Sequence, residues 1–170
     1  MRPARLILLV ATAVLSLALT ALASAQRPGL VEDGTLSVRD GRATIQLRMK
    51  GGVIGRFARG KLTVIDSPVG ASTVVVHGAE TTTFPNQRTT VYRGRNIRFR
   101  IAHDRKFVVK INASKINFSA VGRGDASLDG WGDPDEGVYF DGSFSLNGAA
   151  YRSIPDERTQ VELETLPTGG

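Results

Sequence analysis

Between Thr44 and Lys50 the chain reads T-I-Q-L-R-M-K, and every second residue is apolar. A helix would scatter Ile45, Leu47 and Met49 around its axis, whereas a strand collects them on one face and leaves Thr44, Gln46, Arg48 and Lys50 on the other. The pattern returns at I-R-F-R-I (97–101), at Phe107, Val109 and Ile111, and at Val161 and Leu163 between Glu162 and Glu164. No long stretch after residue 25 carries the helical period of 3.6. Asp40-Gly41, Asp141-Gly142 and Asn147-Gly148 are dipeptides that suit hairpin turns. Thr73-Val74-Val75-Val76 lacks alternation and predicts a strand covered on both faces. The fold class that follows is all-β: a single-domain antiparallel β-sandwich or closed β-barrel. Its predicted core is Ile45, Leu47, Ile97, Phe99, Ile101, Phe107, Val109, Ile111, Phe118, Phe140 and Leu163.

An internal echo suggests two similar meander units. Shifted by 64 residues, the run from Arg42 to Val64 falls on the run from Lys106 to Leu128. Ile45 then meets Val109, Leu47 meets Ile111, Ile54 meets Phe118 and Phe57 meets Val121. Arg59-Gly60 lands on Arg123-Gly124, so both dipeptides are expected at turns. Arg123-Gly124-Asp125 also spells an adhesion tripeptide, but the echo reads it as a glycine turn.

The N-terminus predicts export. Arg2 and Arg5 precede an uncharged apolar run, Leu6 to Leu22, and Ala23-Ser24-Ala25 offers a small-residue cleavage site. The expected divisions are a signal peptide at 1–25, a flexible segment at 26–33, an all-β domain at 34–166 and a tail at 167–170. The membrane is met only through the signal segment, with an uncleaved anchor as the alternative. The chain has no cysteine, which excludes disulfides and thiolate metal sites in this exported domain.

Charge is unevenly spread. Residues 85–123 hold ten lysines and arginines against Asp104 alone, and residues 124–170 hold ten acids against Arg152 and Arg158. A basic block points to a polyanion such as nucleic acid, a teichoic-type polymer or an anionic membrane. The competing expectation is mutual neutralisation across neighbouring strands. On that reading Arg93, Arg95, Arg98, Arg100 and Lys110 face the acids of 156–164, and nucleic acid is not a partner.

G-T-L-S-V-R-D-G-R-A-T-I (34–45) and F-S-A-V-G-R-G-D-A-S-L-D-G (118–130), together with the Arg/Ala-rich export signal, give the chain its resemblance. It resembles uncharacterised secreted all-β proteins of high-GC Gram-positive bacteria. That resemblance implies location and fold and carries no catalytic residue.

Familiar motifs fall away on inspection. Leu166-Pro167-Thr168-Gly169-Gly170 lacks the residue between Pro and Thr, the apolar stretch and the basic tail of a sortase signal. Asn112-Ala113-Ser114 and Asn117-Phe118-Ser119 match glycosylation acceptors but lie near expected strands. His77 and His103 have no flanking ligand pattern. His103-Asp104 are neighbours that point to opposite faces of a strand, and no Gly-x-Ser-x-Gly elbow exists. Paired carboxylates for glycoside hydrolysis are left open.

One stretch stands apart. D-G-W-G-D-P-D-E-G-V-Y-F-D-G (129–142) holds five acids and the only tryptophan. A sugar could stack on Trp131 while Asp129, Asp133, Asp135 and Glu136 accept its hydroxyl hydrogen bonds. The same four acids could cage calcium, although Trp131 and Pro134 spoil the EF-hand spacing. The plainest reading is a solvated loop over 129–137, with Val138 to Phe140 entering a strand.

The leading expectation is therefore a secreted, non-enzymatic, cofactor-free binding or envelope-associated module for an extracellular glycan or cell-wall polymer. The alternatives are a structural or protein-interaction domain without a small-ligand site, and a secreted hydrolase.

Overall fold

The computed structural model describes residues 32–65, 72–132 and 140–165. The expected signal peptide, residues 26–31 and the tail lie outside them. The described chain is all-β, an antiparallel sheet curled into a half-barrel. Its strands are β1 (Glu32–Ile65), β2 (Ser72–Asn86), β3 (Thr89–Gly130), β4 (Ser143–Leu146), β5 (Arg152–Ser153) and β6 (Thr159–Thr165). Order begins before the expected boundary at 34, because Glu32 and Asp33 pair with Thr165 and Glu164.

The two long strands explain the curl. β1 residues 43–65 run along β3 residues 108–130 in one register, from Ala43 opposite Gly130 to Ile65 opposite Val108. On its other edge, β1 changes partner. Residues 34–49 pair with 122–107, and residues 51–65 pair with 103–89. Each long strand therefore enters the sheet twice, with a stretch of the other between its halves. A flat sheet cannot accommodate that, so the strands tilt and the sheet wraps round. β2 flanks 89–103 at one edge, while β4 and β6 extend the opposite side.

Wrapping makes one face concave, and the apolar alternation lines it. Ile45, Leu47, Ile97, Phe99, Ile101, Phe107, Val109, Ile111, Phe118 and Leu163 are all buried in a single core. Phe140 is the exception among the predicted core residues. It is 63% exposed and lies outside any strand, because the next strand starts only at Ser143. Thr73 to Val76 are also corrected: β2 is an outer strand, its Val74 and Val76 pack partly on the core, and Val75 is exposed.

Strands this long keep one face inward only by resetting their phase. The inward residue set shifts between Val38 and Ala43, between Phe57 and Leu62, and between Ala113 and Ile116. Left-handed residues mark these shifts: Asp40 (φ 49°), Lys115 (φ 54°) and, on the neighbouring stretch of β3, Asn96 (φ 54°). They form a line of bulges across four adjacent stretches, where the sheet bends.

Asp40-Gly41 is thus a bulge inside β1, where a hairpin was expected. Arg59-Gly60 and Arg123-Gly124 are also bends within continuous strands. Gly124 (φ 147°) brings its backbone so close to Arg48 that a Cβ there would sit 2.1 Å from the Arg48 carbonyl oxygen. Asp125 pairs with Glu162 and Arg48 on the two sides of β3, so the tripeptide is held in the sheet. Asn147-Gly148 is the turn expected, with both φ values positive and the Ala149 N–H bonded to the Leu146 carbonyl at 3.0 Å.

Burial along the echo is uneven. Ile45 and Val109 are both buried, as are Leu62 and Ala126. In its middle Ile54 is exposed where Phe118 is buried, and Phe57 is buried where Val121 is exposed.

Candidate functional site

The acidic stretch starts on the convex face, where β3 ends. Trp131 is fastened to the sheet: its N–H bonds the Arg42 carbonyl at 3.1 Å, and its indole Nε1 donates to Thr44 Oγ1 at 3.1 Å. Asn112 Nδ2 donates to the same hydroxyl at 2.8 Å. The indole's polar edge is therefore used internally. Asp129 receives Arg158 Nη2 at 3.3 Å, which gives it a cation partner from within the chain. Asp141 is buried and accepts the Gly132 N–H, pinning the two sides of the connection together. Of the five residues proposed to bind a sugar, or four to bind calcium, only Asp129 and Trp131 are described. Asp133, Asp135 and Glu136 lie outside the described residues, as do Val138 and Tyr139.

The histidines serve different faces. His103 is buried, stacks on Phe107 with centroids 6.1 Å apart, and its Nδ1 accepts the Arg105 N–H at 2.9 Å. His77 is exposed on the convex side of β2, in register with Arg98. Asn112 and Asn117, the asparagines of the glycosylation patterns, sit within β3.

A different group is brought together by the ladder between β1 and the first part of β3. Arg56 lies opposite Arg98, Arg59 opposite Arg95, and Lys61 opposite Arg93. Like charges directly across a ladder are destabilising, each by a few tenths to about 1 kcal/mol. The flanking ladders do not relieve them. Asn117, Ser114 and Asn112 neighbour Arg56, Arg59 and Lys61 on the far side, while His77 and Thr81 neighbour Arg98 and Arg93. Glu80 stands in the β2 bulge beside Gly94 and forms no ion pair among the described residues.

Expected neutralisation by the acids of 156–164 does not occur. β6 pairs with residues 124–128, so Glu162 faces Asp125, and Glu164 lies near the start of β1. Among the described residues, Arg123–Asp33 and Arg158–Asp129 are the Arg–carboxylate ion pairs, and neither involves the six paired cations.

Beside this strip the bulge line opens a cleft of about 280 Å³. Arg56, Arg98 and Lys115 contribute three cations to it, and Asn96, Asn117 and Asp40 contribute polar groups. Asp40 Oδ1 accepts from Asn117 Nδ2 at 3.4 Å, leaving the cations in excess.

Reading the sequence alone singled out Arg93, Arg95 and Arg98 but missed Arg56, Arg59 and Lys61. The signal was present as three cations within six residues of an alternating strand. Its meaning depended on which strand lies opposite.

No protein-family model matches the chain, and no curated protein or solved structure matches it.

Proposed function

We propose that the protein is an exported, non-enzymatic binding module whose ligand is an anionic polymer of the cell envelope. The observation that carries this reading is the ladder of three like-charge pairs with no acid opposite. A sheet under stability constraint alone gains from an acid at any of those positions. Six cations kept in register instead present a positive stripe that attracts a repeating phosphate or carboxylate chain and releases its counterions. Among the described residues, the six cations have no Phe, Tyr or Trp as ladder neighbour, only His77 beside Arg98, which favours an envelope polymer over single-stranded nucleic acid. Support for export comes from the signal pattern before Gln26. We further read the half-barrel as barrel-type in architecture, because one curled sheet encloses the single core.

Co-sedimentation of the exported protein with a polyglycerol-phosphate polymer tests the function. Binding should weaken steeply with added salt, the logarithmic slope reporting several displaced counterions, roughly 0.9 or less per phosphate engaged. Binding indifferent to salt, or stronger for duplex DNA than for the polymer, would contradict the proposal. N-terminal sequencing of the exported material should begin at Gln26; a start at Met1 would remove the export premise.

A further inference from the structure

Next to the basic stripe, the convex face holds apolar side chains that a polyanion does not need. Ile54 is 59% exposed, Val121 49% and Val75 40%, although alternation elsewhere places polar residues on this face. The registers put them together. Across four adjacent stretches the order is Val75, Arg100, Ile54, Ser119; one row away it is Thr73, Ala102, Gly52, Val121. On the other side runs the row His77, Arg98, Arg56, Asn117. The apolar side chains are thus bordered by Arg98 and Arg56, with Arg100 standing between Val75 and Ile54.

The convex face is locally hollowed there. A hollow of about 540 Å³ is lined by Ile54 and Val75 with Arg56, Arg98 and Arg100 around it. A second hollow, of about 300 Å³, lies against Ile54, Val121, Ala102 and Arg100. Ile54 and Arg100 line both, so the two hollows lie side by side as a trough divided by these side chains.

We propose that this trough binds a single molecule of a phosphate-bearing lipid. Its aliphatic chain lies along Val75, Ile54 and Val121, and its phosphate meets the guanidinium groups of Arg98 and Arg56. Guanidinium suits this role because its planar fork can give two hydrogen bonds to one phosphate. Charge selects the occupant. A second copy docked by the same face would set arginines against arginines, and a neutral chain would leave them unmatched. The assignment rests on the anionic-envelope reading, since both require a phosphate partner and share Arg56 and Arg98, but Val75, Ile54, Val121 and Arg100 lie outside the polymer stripe.

Calorimetric titration of the exported protein with dodecyl phosphate, below its micelle concentration, tests it. One molecule should bind saturably. Each methylene added from octyl to dodecyl should tighten binding about fourfold, the effect of burying one such group. Dodecyl phosphocholine, whose head is zwitterionic, should bind at least roughly tenfold more weakly. Replacing Ile54 and Val75 together by serine should cost at least about tenfold in affinity for dodecyl phosphate. Both side chains are exposed, so the thermal midpoint should hold. Replacing Lys61, Arg93 and Arg95 by glutamine should spare lipid binding and weaken polymer binding, which separates the two readings. Equal affinity for the phosphocholine lipid, indifference to the serine pair, or binding only to phosphatidylglycerol vesicles would overturn the proposal; the last would show a membrane-surface contact.

Discussion

Gly122→Val should remove a large share of the fold's stability. Gly122 stands opposite Gly51 at the point where β1 changes partners, and its φ is 152°. A Cβ there would lie 2.0 Å from the Lys50 carbonyl oxygen and 3.0 Å from the Gly51 Cα. Both obstacles are backbone, so no rotamer relieves them. Backbone strain of about 1–3 kcal/mol and overpacking of about 1–3 kcal/mol together take a large share of a typical domain's margin of roughly 5–15 kcal/mol. Urea unfolding should show the loss as a lower midpoint. A midpoint equal to that of the native chain would mean that the two strands do not approach so closely there.

Phe99→Ala should cost about 3–5 kcal/mol, the usual effect of emptying a buried aromatic site. Phe99 is 3% exposed and packs against Phe57 with ring centroids 6.3 Å apart. The backbone of β1 runs past it at Gly55, so neighbouring side chains have little freedom to fill the gap. Phe140→Ala, by contrast, should change stability little, because that ring is 63% exposed. Thermal unfolding of both variants checks the inward phase assigned to β3. Equal losses would show that the phase is wrong.

Those two phenylalanines also show what the sequence made legible. Phe99 lies in an alternating run, and alternation is a local property that burial follows directly. Phe140 follows the acidic stretch with only Val138 to alternate with, too short a run to fix a phase, and the start of β4 at Ser143 leaves it outside the strand. Asp40-Gly41 misled for a related reason. Aspartate tolerates the left-handed conformation in a hairpin and in a bulge alike, so the dipeptide cannot tell a chain reversal from a bend. Expecting reversals there divided into short pieces what are strands of 34 and 42 residues.

The candidate site was harder to see. Total charge suggested that the basic block and the acidic tail would cancel. Cancellation requires adjacency, and the sheet sets β6 against 124–128 while setting Arg93, Arg95 and Arg98 against other cations. Trp131 attracts a ligand reading by its chemistry, and its indole N–H is bonded to Thr44, which occupies the ring's polar edge and not its stacking faces. Exposure of Ile54 has no counterpart in its alternation pattern, because the phase of β1 is set by bends before and after it.

Arg95→Glu tests the central claim most directly, because stability and binding should move in opposite directions. The new carboxylate would face Arg59 across the ladder, where two arginines now stand. Replacing a like-charge pair by an opposite-charge pair should stabilise the sheet by a few tenths to about 1 kcal/mol, raising the melting midpoint by roughly 1–4 °C. The same change removes a cation from the stripe and adds an anion, so the affinity for polyglycerol phosphate and the steepness of its salt dependence should both fall. A higher midpoint with weaker, less salt-sensitive binding is the result this account predicts. Unchanged polymer binding in a more stable variant would contradict it.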